Sequence, residues 1–80
     1  MTGRSDLQHW LEAALRALGG SATLVEVSKE VWKVHEQELR AAGELFYTWQ
    51  YDIRWAANRL RKRSVLRSAE VSPRGVWELT

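Results

Sequence analysis

Residues 48–63 constrain the fold most, because one face of this stretch suits burial and another is polar and basic. A helix turns once in about 3.6 residues, so the apolar side chains here form one stripe. The stripe comprises Trp49, Ile53, Ala56, Ala57 and Leu60. An adjacent arc comprises Gln50, Arg54, Asn58 and Arg61. The pattern predicts a helix over residues 49–63, and a solvated amphipathic helix is the simpler interpretation of this stretch taken alone.

Length and composition indicate one small domain that folds on packing alone. The chain has 80 residues, no cysteine and five tryptophans, so it lacks disulfides and thiolate zinc sites. Its longest uncharged stretch, residues 17–25, is far shorter than the roughly 20 apolar residues that span a bilayer. The N-terminus also lacks the apolar core of a signal peptide. We therefore expect a cytoplasmic protein with no membrane partner.

Two further helices are predicted before this stretch. After a loose tail over residues 1–4, Ser5 and Gln8 have the spacing of a capping box, and the glycines at 19 and 20 predict the helix end. The apolar stripe of this first helix comprises Leu7, Trp10, Leu11, Ala14, Leu15 and Leu18. His9 lies beside that stripe with no second ligand nearby in sequence, so we expect a surface histidine and no metal site.

The second helix should run from Leu24 to about Leu39, because Thr23 and Glu26 form another capping-box pattern. Its expected inner face comprises Leu24, Val27, Val31 and Val34, with Trp32 on a flank. Residues 21–23 are too short to predict more than one β-bridge. Residues 43–47 should form a connector whose apolar side chains pack under the core or against the start of the third helix.

The C-terminal segment predicts a β-hairpin. Residues 64–71 and 76–79 read as short strands, and the turn between them contains Pro73, Arg74 and Gly75. Three helices followed by a hairpin with an arginine at its tip is the order of a winged helix-turn-helix. We therefore expect an α+β fold, with residues 1–80 forming a single winged-helix domain.

Charge is distributed unevenly along the chain. Residues 1–53 contain five Lys/Arg and eight Asp/Glu, whereas residues 54–80 contain seven Lys/Arg and two Asp/Glu. A local positive surface attracts polyanions through counterion release. Milder asymmetries are common, so this feature supports nucleic-acid binding only together with the predicted fold.

Three segments resemble a known family. The run Ile-Arg-Trp-Ala-Ala-Asn-Arg-Leu at 53–60, Val-Leu at 65–66 and Pro-Arg-Gly-Val-Trp-Glu-Leu-Thr at 73–80 are similar to the N-terminal winged-helix domain of Mrr-type, modification-dependent restriction endonucleases. The resemblance is best over residues 43–80, and it departs at 62–64, where the family usually has a glycine. It implies a DNA-sensing module of a restriction system, either the front of a longer protein or a complete small regulator.

Duplex DNA is the expected partner, with the third helix in the major groove and the wing on the backbone. The candidates for base or groove contact are Gln50, Tyr51, Arg54, Trp55, Asn58 and Arg61. The candidates for backbone contact are Arg59, Lys62, Arg63, Arg67 and Arg74. A protein–protein interaction module and a small transcriptional regulator are the alternatives, because winged helices also serve as docking domains.

No catalytic motif accompanies these residues. The chain has no Glu-x-Lys of a nuclease, no phosphate-binding glycine loop and no HExxH or GxSxG motif. We therefore expect no enzyme activity and no cofactor in this domain, and a nuclease would be fused to it or act as a partner.

The exposed aromatic residues of the third helix suggest one more role. Tyr51 and Trp55 should lie opposite the apolar stripe, where a ring beside Gln50 or Asn58 would favour a methylated adenine over a bare one. The alternative for Trp55, which we favour, is packing against the wing or the 43–47 connector. We likewise expect Trp77 to be packed.

Overall fold

The computed structural model describes residues 2–80. Its elements in chain order are α1 (Asp6–Ala17), β1 (Ser21–Thr23), α2 (Leu24–Arg40), α3 (Leu45–Lys62) and β2 (Val76–Glu78). The two strands pair antiparallel in one sheet. This part of the chain is therefore a small α+β domain of three helices and a two-stranded sheet, a layout compatible with a winged helix.

The core lies where the three helices and the sheet meet. The apolar stripe predicted for the third helix is confirmed, because all five of its residues are buried. It packs with Leu7, Leu11 and Leu15 of α1, Val27, Val31 and Leu39 of α2, and Leu66 and Trp77. The two stripe alanines, Ala56 and Ala57, leave room for a close helix approach. Burial of this stripe fixes which face of α3 remains exposed.

The start of α1 differs from the prediction. Ser5 is already helical in its dihedral angles and makes no side-chain cap, so the Ser5–Gln8 capping box is wrong. Instead, the Gly3 backbone N–H donates to Asp6 Oδ2 at 2.8 Å. The Arg4 guanidinium carbon lies 3.9 Å from the ring centroid of Trp55. Gly3 and Arg4, expected in a loose tail, therefore contact the helices, and Met1 lies outside the described residues.

The end of α1 is confirmed. Gly19 and Gly20 both have positive φ angles, of 92° and 97°. The Gly20 N–H donates to the Leu15 carbonyl at 2.7 Å and the Gly19 N–H to the Arg16 carbonyl at 3.3 Å. These two bonds close the helix with a Schellman motif, for which glycine is suited because it has no Cβ.

The start of α2 is confirmed and its inner face only in part. The Thr23 N–H donates to Glu26 Oε1 at 2.9 Å, and the Glu26 N–H donates to Thr23 Oγ1 at 3.2 Å. Val34, predicted to face inwards, is 57% exposed. The backbone leaves helical dihedral angles at His35, and beyond this kink Leu39 continues the buried face.

The connector predicted over residues 43–47 is wrong, because α3 begins at Leu45. Gly43 turns the chain with a φ of 65°, and the N–H groups of Phe46 and Tyr47 already donate to carbonyls three residues earlier. Leu45 is buried as expected, whereas Tyr47 is 84% exposed. The third helix is therefore one turn longer at its start than predicted, and it ends at Lys62 rather than Arg63.

The sheet joins distant segments. Ser21 lies opposite Glu78, Ala22 opposite Trp77 and Thr23 opposite Val76, so residues 21–23 form more than the single bridge that we expected. The predicted hairpin is reduced to one bridge between Leu66 and Leu79.

Residues 67–75 are called the wing loop below. The Arg67 N–H still donates to the Glu78 carbonyl at 2.8 Å, but the residues after Arg67 do not continue the ladder. The N–H groups of Val71 and Ser72 both donate to the Ser68 carbonyl at 3.1 Å. This local turn takes the backbone groups that a longer hairpin would have paired across the strands. Residues 64–71 therefore form no regular strand, contrary to the prediction.

Candidate nucleic-acid interface

A cleft of about 630 Å³ separates α3 from the wing loop. On the helix side it is lined by Arg54, Asn58 and Arg61, which are three of the four residues of the predicted polar arc. On the other side it is lined by residues 72–75, which include the predicted backbone contact Arg74. The structure therefore brings together groove and backbone candidates that are distant in sequence.

Arg61 is held in a defined orientation at the foot of the wing loop. Its side chain is half-buried, and its Nε donates to the Arg67 carbonyl at 3.2 Å. Arg67 in turn donates from its own Nε to the Leu79 carbonyl at 3.4 Å. Both acceptors are backbone carbonyls rather than carboxylates, and the bond of Arg61 uses Nε, so the terminal nitrogens of Arg61 stay available for an anion.

The cations around α3 and the wing are not ion-paired. Within residues 2–80, the ion pairs are Glu12–Arg16, Glu30–Lys33 and Glu36–Arg40, and all of them lie on α1 and α2. His35 Nδ1 also contacts Glu38 Oε1 on α2 at 2.9 Å. None of these contacts involves any of the seven Lys/Arg of residues 54–80. The positive charge of this region is therefore free to act on a ligand.

The remaining backbone candidates lie on a second flank of α3. Arg63 Nη1 donates to Gln8 Oε1 of α1 at 3.2 Å. The Arg59 guanidinium carbon is 5.8 Å from the ring centroid of Trp55, which Arg4 also covers. Lys62 is exposed. The predicted backbone contacts thus divide between the wing flank, with Arg67 and Arg74, and the α1 flank, with Arg59, Lys62 and Arg63.

The aromatic candidates have different environments. Trp55 is half-buried and packs on the core, so the expectation that it is packed is confirmed, and the Arg4 guanidinium covers its ring. Trp77 is buried at the base of the cleft, as predicted. Tyr51 is 78% exposed on the outer face of α3. Of the two aromatic candidates for groove contact, Tyr51 therefore presents the open ring to a ligand.

Gln50 lies apart from the rest of the predicted arc. It lines a second groove, of about 570 Å³, between the first half of α2 and the start of α3. The walls of this aromatic groove are formed by Trp32, Phe46 and Trp49, and the two indole rings stack with centroids 6.0 Å apart. The five tryptophans and the flank position of Trp32 were the sequence signal for it, but sequence analysis did not predict this groove.

The described residues contain neither a metal-binding cluster nor a membrane-spanning helix. Across residues 2–80, no three His, Cys, Asp or Glu side chains cluster closely enough to hold a metal ion. His9 is exposed, as predicted. In the same residues, none of the helices has the length and apolar character needed to cross a membrane.

Comparison with protein families, with curated proteins and with solved structures found no match to this chain.

Proposed function

We propose that this domain is a winged helix that binds double-stranded DNA, with α3 in the major groove and the wing loop on the sugar-phosphate backbone. The observation that carries the proposal is the set of seven cations of residues 54–80, which lie on α3 and in the segment after it and have no ion pair within the described residues. A protein that used these residues only for solubility would be expected to intersperse them with carboxylates. A one-sided set attracts a polyanion.

The exposed face of α3 supports a duplex as the polyanion. A helix fits the major groove of B-DNA, which is about 12 Å wide. Arg54 and Asn58 are exposed one helical turn apart on that face, and their side chains pair bidentately with guanine and adenine respectively. Arg74 stands across the cleft on the wing loop, where a DNA backbone would pass. These positions support readout by the helix and anchoring by the wing.

The resemblance to Mrr-type restriction proteins supports a more specific role. We propose that the domain serves a restriction system as its DNA sensor, and that a fused or separate nuclease performs cleavage. A small transcriptional regulator would use the same surface. Purification of the chain from its native host, followed by identification of any attached or bound nuclease, separates these two roles.

Duplex binding is tested with two arginine variants. Arg54→Ala should weaken binding by about 1–3 kcal/mol and relax sequence preference, because it removes a base contact. Arg74→Ala should weaken binding to every duplex alike, because phosphate contacts carry no sequence information. Fluorescence anisotropy over a panel of duplexes measures both effects. Arg16→Ala, on α1 and paired with Glu12, is the matched control and should bind like wild type.

Equal losses for both variants on every sequence would contradict the division of roles. Wild-type protein that binds no duplex at low salt would contradict the function itself.

A protein-interaction module is the second candidate, and the aromatic groove favours it. Val25 is exposed at the groove edge and Tyr47 is exposed on the adjacent turn of α3, so an apolar partner would find a continuous surface there. A titration with duplex DNA, followed by amide chemical shifts, separates the candidates. Salt-sensitive shifts in α3 and residues 72–75 would support DNA. Shifts absent there under low salt would leave the groove as the main functional surface.

A further inference from the structure

Ser72 in the wing loop has an unsatisfied hydroxyl. The residue is 8% exposed, and its Oγ has no hydrogen-bond partner within the described residues. A buried hydroxyl without a partner destabilises the folded chain, so such groups are rare in proteins and most have a specific explanation. Among residues 2–80, Ser72 is the buried polar residue whose side chain lacks a partner, so its burial needs a specific explanation. Its neighbours Val71 and Pro73 are exposed, so the segment is bounded by solvent on both sides.

The surroundings of Ser72 show what kind of partner would satisfy it. Ser72 lines the cleft between α3 and the wing loop, together with Arg54, Arg61 and Arg74. Among residues 2–80, no aspartate or glutamate lines this cleft. Hydroxyl and guanidinium groups without a carboxylate suit an anion with several acceptor oxygens, and a planar guanidinium matches phosphate geometry particularly well.

We propose that this cleft is a site for one phosphate group, held by Arg61 and Arg74 and by a hydrogen bond donated from the Ser72 hydroxyl. The inference deepens the proposed function, on which it rests for the source of the phosphate, a single phosphate of the DNA backbone. A free phosphorylated molecule has the same chemistry and is distinguished by experiment.

The geometry assigns different roles to the three residues. Arg61 is anchored through Nε to the Arg67 carbonyl, so it forms the fixed wall of the site. Arg74 is exposed in the wing loop and forms the opposite wall, where none of the side-chain hydrogen bonds found in the described residues involves it. Ser72 lines the same cleft as both arginines, and a small movement of the wing loop onto the anion brings its hydroxyl to a phosphate oxygen. The bound phosphate therefore fixes the wing loop on α3.

Ser72→Ala gives a test in which stability and affinity change in opposite directions. The free protein should be at least as stable as wild type, because the substitution removes an unsatisfied buried hydroxyl. Binding should weaken by about tenfold, because a hydrogen bond to a charged oxygen is lost. Ser68→Ala is the matched control, since Ser68 is exposed in the same loop. A lower Tm for Ser72→Ala would show that the hydroxyl already has a partner in the free protein, which would overturn the proposal.

Duplexes with single methylphosphonate substitutions locate the phosphate, because each substitution removes one backbone charge. At one backbone position, neutralisation should weaken DNA binding by the wild-type protein. With that duplex, wild type and Ser72→Ala should bind with equal affinity. If wild type and Ser72→Ala bind every duplex with equal affinity, the proposed phosphate site is overturned, whereas the proposed DNA binding is not. A Ser72→Ala loss that is the same at all positions would also overturn a single-phosphate site.

Inorganic phosphate provides an arm that does not depend on DNA. Suppose that wild type binds no duplex while phosphate still shifts the amide resonances of residues 72–75 saturably, and does so only in wild type and not in Ser72→Ala. That result would support the phosphate site and contradict the proposed DNA function. If neither duplex nor phosphate perturbs these residues, both proposals are overturned.

Discussion

Ser64 adopts a left-handed backbone conformation, with a φ of 61°, directly after α3. The Val65 N–H donates to the Leu60 carbonyl at 2.9 Å and the Ser64 N–H to the Arg61 carbonyl at 3.0 Å, the same Schellman pattern that ends α1. At the end of α1 the left-handed positions are glycines, whereas here a residue with a Cβ occupies the position. This is also within the segment where the resembled family usually has a glycine.

We therefore expect Ser64→Gly to stabilise the fold. Glycine adopts the left-handed region without the Cβ clash, and after the greater freedom of the unfolded chain is subtracted the gain should be about 0.5–1 kcal/mol. Urea denaturation of wild type and variant measures the free energy of unfolding. Ser68→Gly, in the wing loop and without a positive φ, is the control and should be neutral or destabilising. A loss of stability in Ser64→Gly would contradict the assignment of strain to Ser64.

Glu26 is the residue whose titration the structure predicts. Its pKa is lowered below the ordinary value of 4.5, first by the hydrogen bond from the Thr23 backbone N–H, then by the Thr23 hydroxyl and by the charge of Lys29. A carboxyl group whose pKa is lowered on folding stabilises the fold above its unfolded pKa. That contribution is lost as the pH falls below 4.5 and through the lowered pKa.

Glu26→Gln should therefore unfold with a weaker pH dependence below pH 4.5 than wild type. Glutamine retains an acceptor for the Thr23 N–H but carries no charge to titrate. Thermal unfolding between neutral and acidic pH compares the two proteins, and the side-chain carboxyl shift of Glu26 reports its pKa directly. A Glu26 pKa at or above the ordinary value would contradict the capping interaction.

At the scale of the elements, local periodicity predicted the three helices, whereas the hairpin predicted for the wing is reduced to one bridge. The apolar stripe of α3 repeats over about three helical turns, so helical spacing alone predicts that its five residues, from Trp49 to Leu60, are buried. The pairing of residues 21–23 with 76–78 joins segments more than fifty residues apart, and no local signal encodes it. The wing loop forms turns through Ser68 that short alternating segments do not reveal.

The candidate site shows the same limit. The arc of Arg54, Asn58 and Arg61 follows from helical spacing and was predicted. The separation of Gln50 into the aromatic groove depends on where α2 crosses α3, which spacing within one helix cannot give. The cover on Trp55 depends on Arg4, a residue that sequence patterns place in a tail.

The exposure of the aromatic rings on α3 restricts the hypothesis of methyl recognition to Tyr51. Tyr51 has an open ring, whereas the ring of Trp55 is covered by Arg4. One methyl group against an aromatic ring is worth on the order of 1 kcal/mol, which corresponds to a several-fold preference for methylated adenine. Tyr51→Ala should remove that preference, and Trp55→Ala should leave it in place if the variant folds.

Paired titrations of methylated and unmodified duplexes at fixed salt measure this ratio. Tyr47→Ala is the matched control, because Tyr47 is an exposed tyrosine one turn earlier on the same helix. Equal wild-type affinities for both duplexes over a broad panel of sites would contradict methyl reading and leave an ordinary duplex binder.

At the scale of the whole molecule, charge divides the domain into two parts. The ion pairs of the described residues lie on α1 and α2, whereas the seven cations of residues 54–80, on α3 and in the segment after it, have no carboxylate partner. A duplex held by α3 would present a strand of phosphates to each flank. Under this proposal Arg74 on the wing flank and Arg59 on the α1 flank would contact different strands and share no partner, so their effects on binding should be independent.

The salt dependence of binding tests this arrangement. Each neutralised phosphate contributes about 0.9 to the slope of log K against log salt, so Arg59→Ala and Arg74→Ala should each lower the slope by about that amount. The double variant should lower it by about twice as much, with additive losses of binding free energy. Anisotropy titrations at several salt concentrations give the slopes, with Arg40→Ala, paired with Glu36, as the control that leaves the slope unchanged. A slope that responds to Arg74 but not to Arg59 would show that the duplex touches the wing flank alone, and that α3 does not lie between two strands of phosphates.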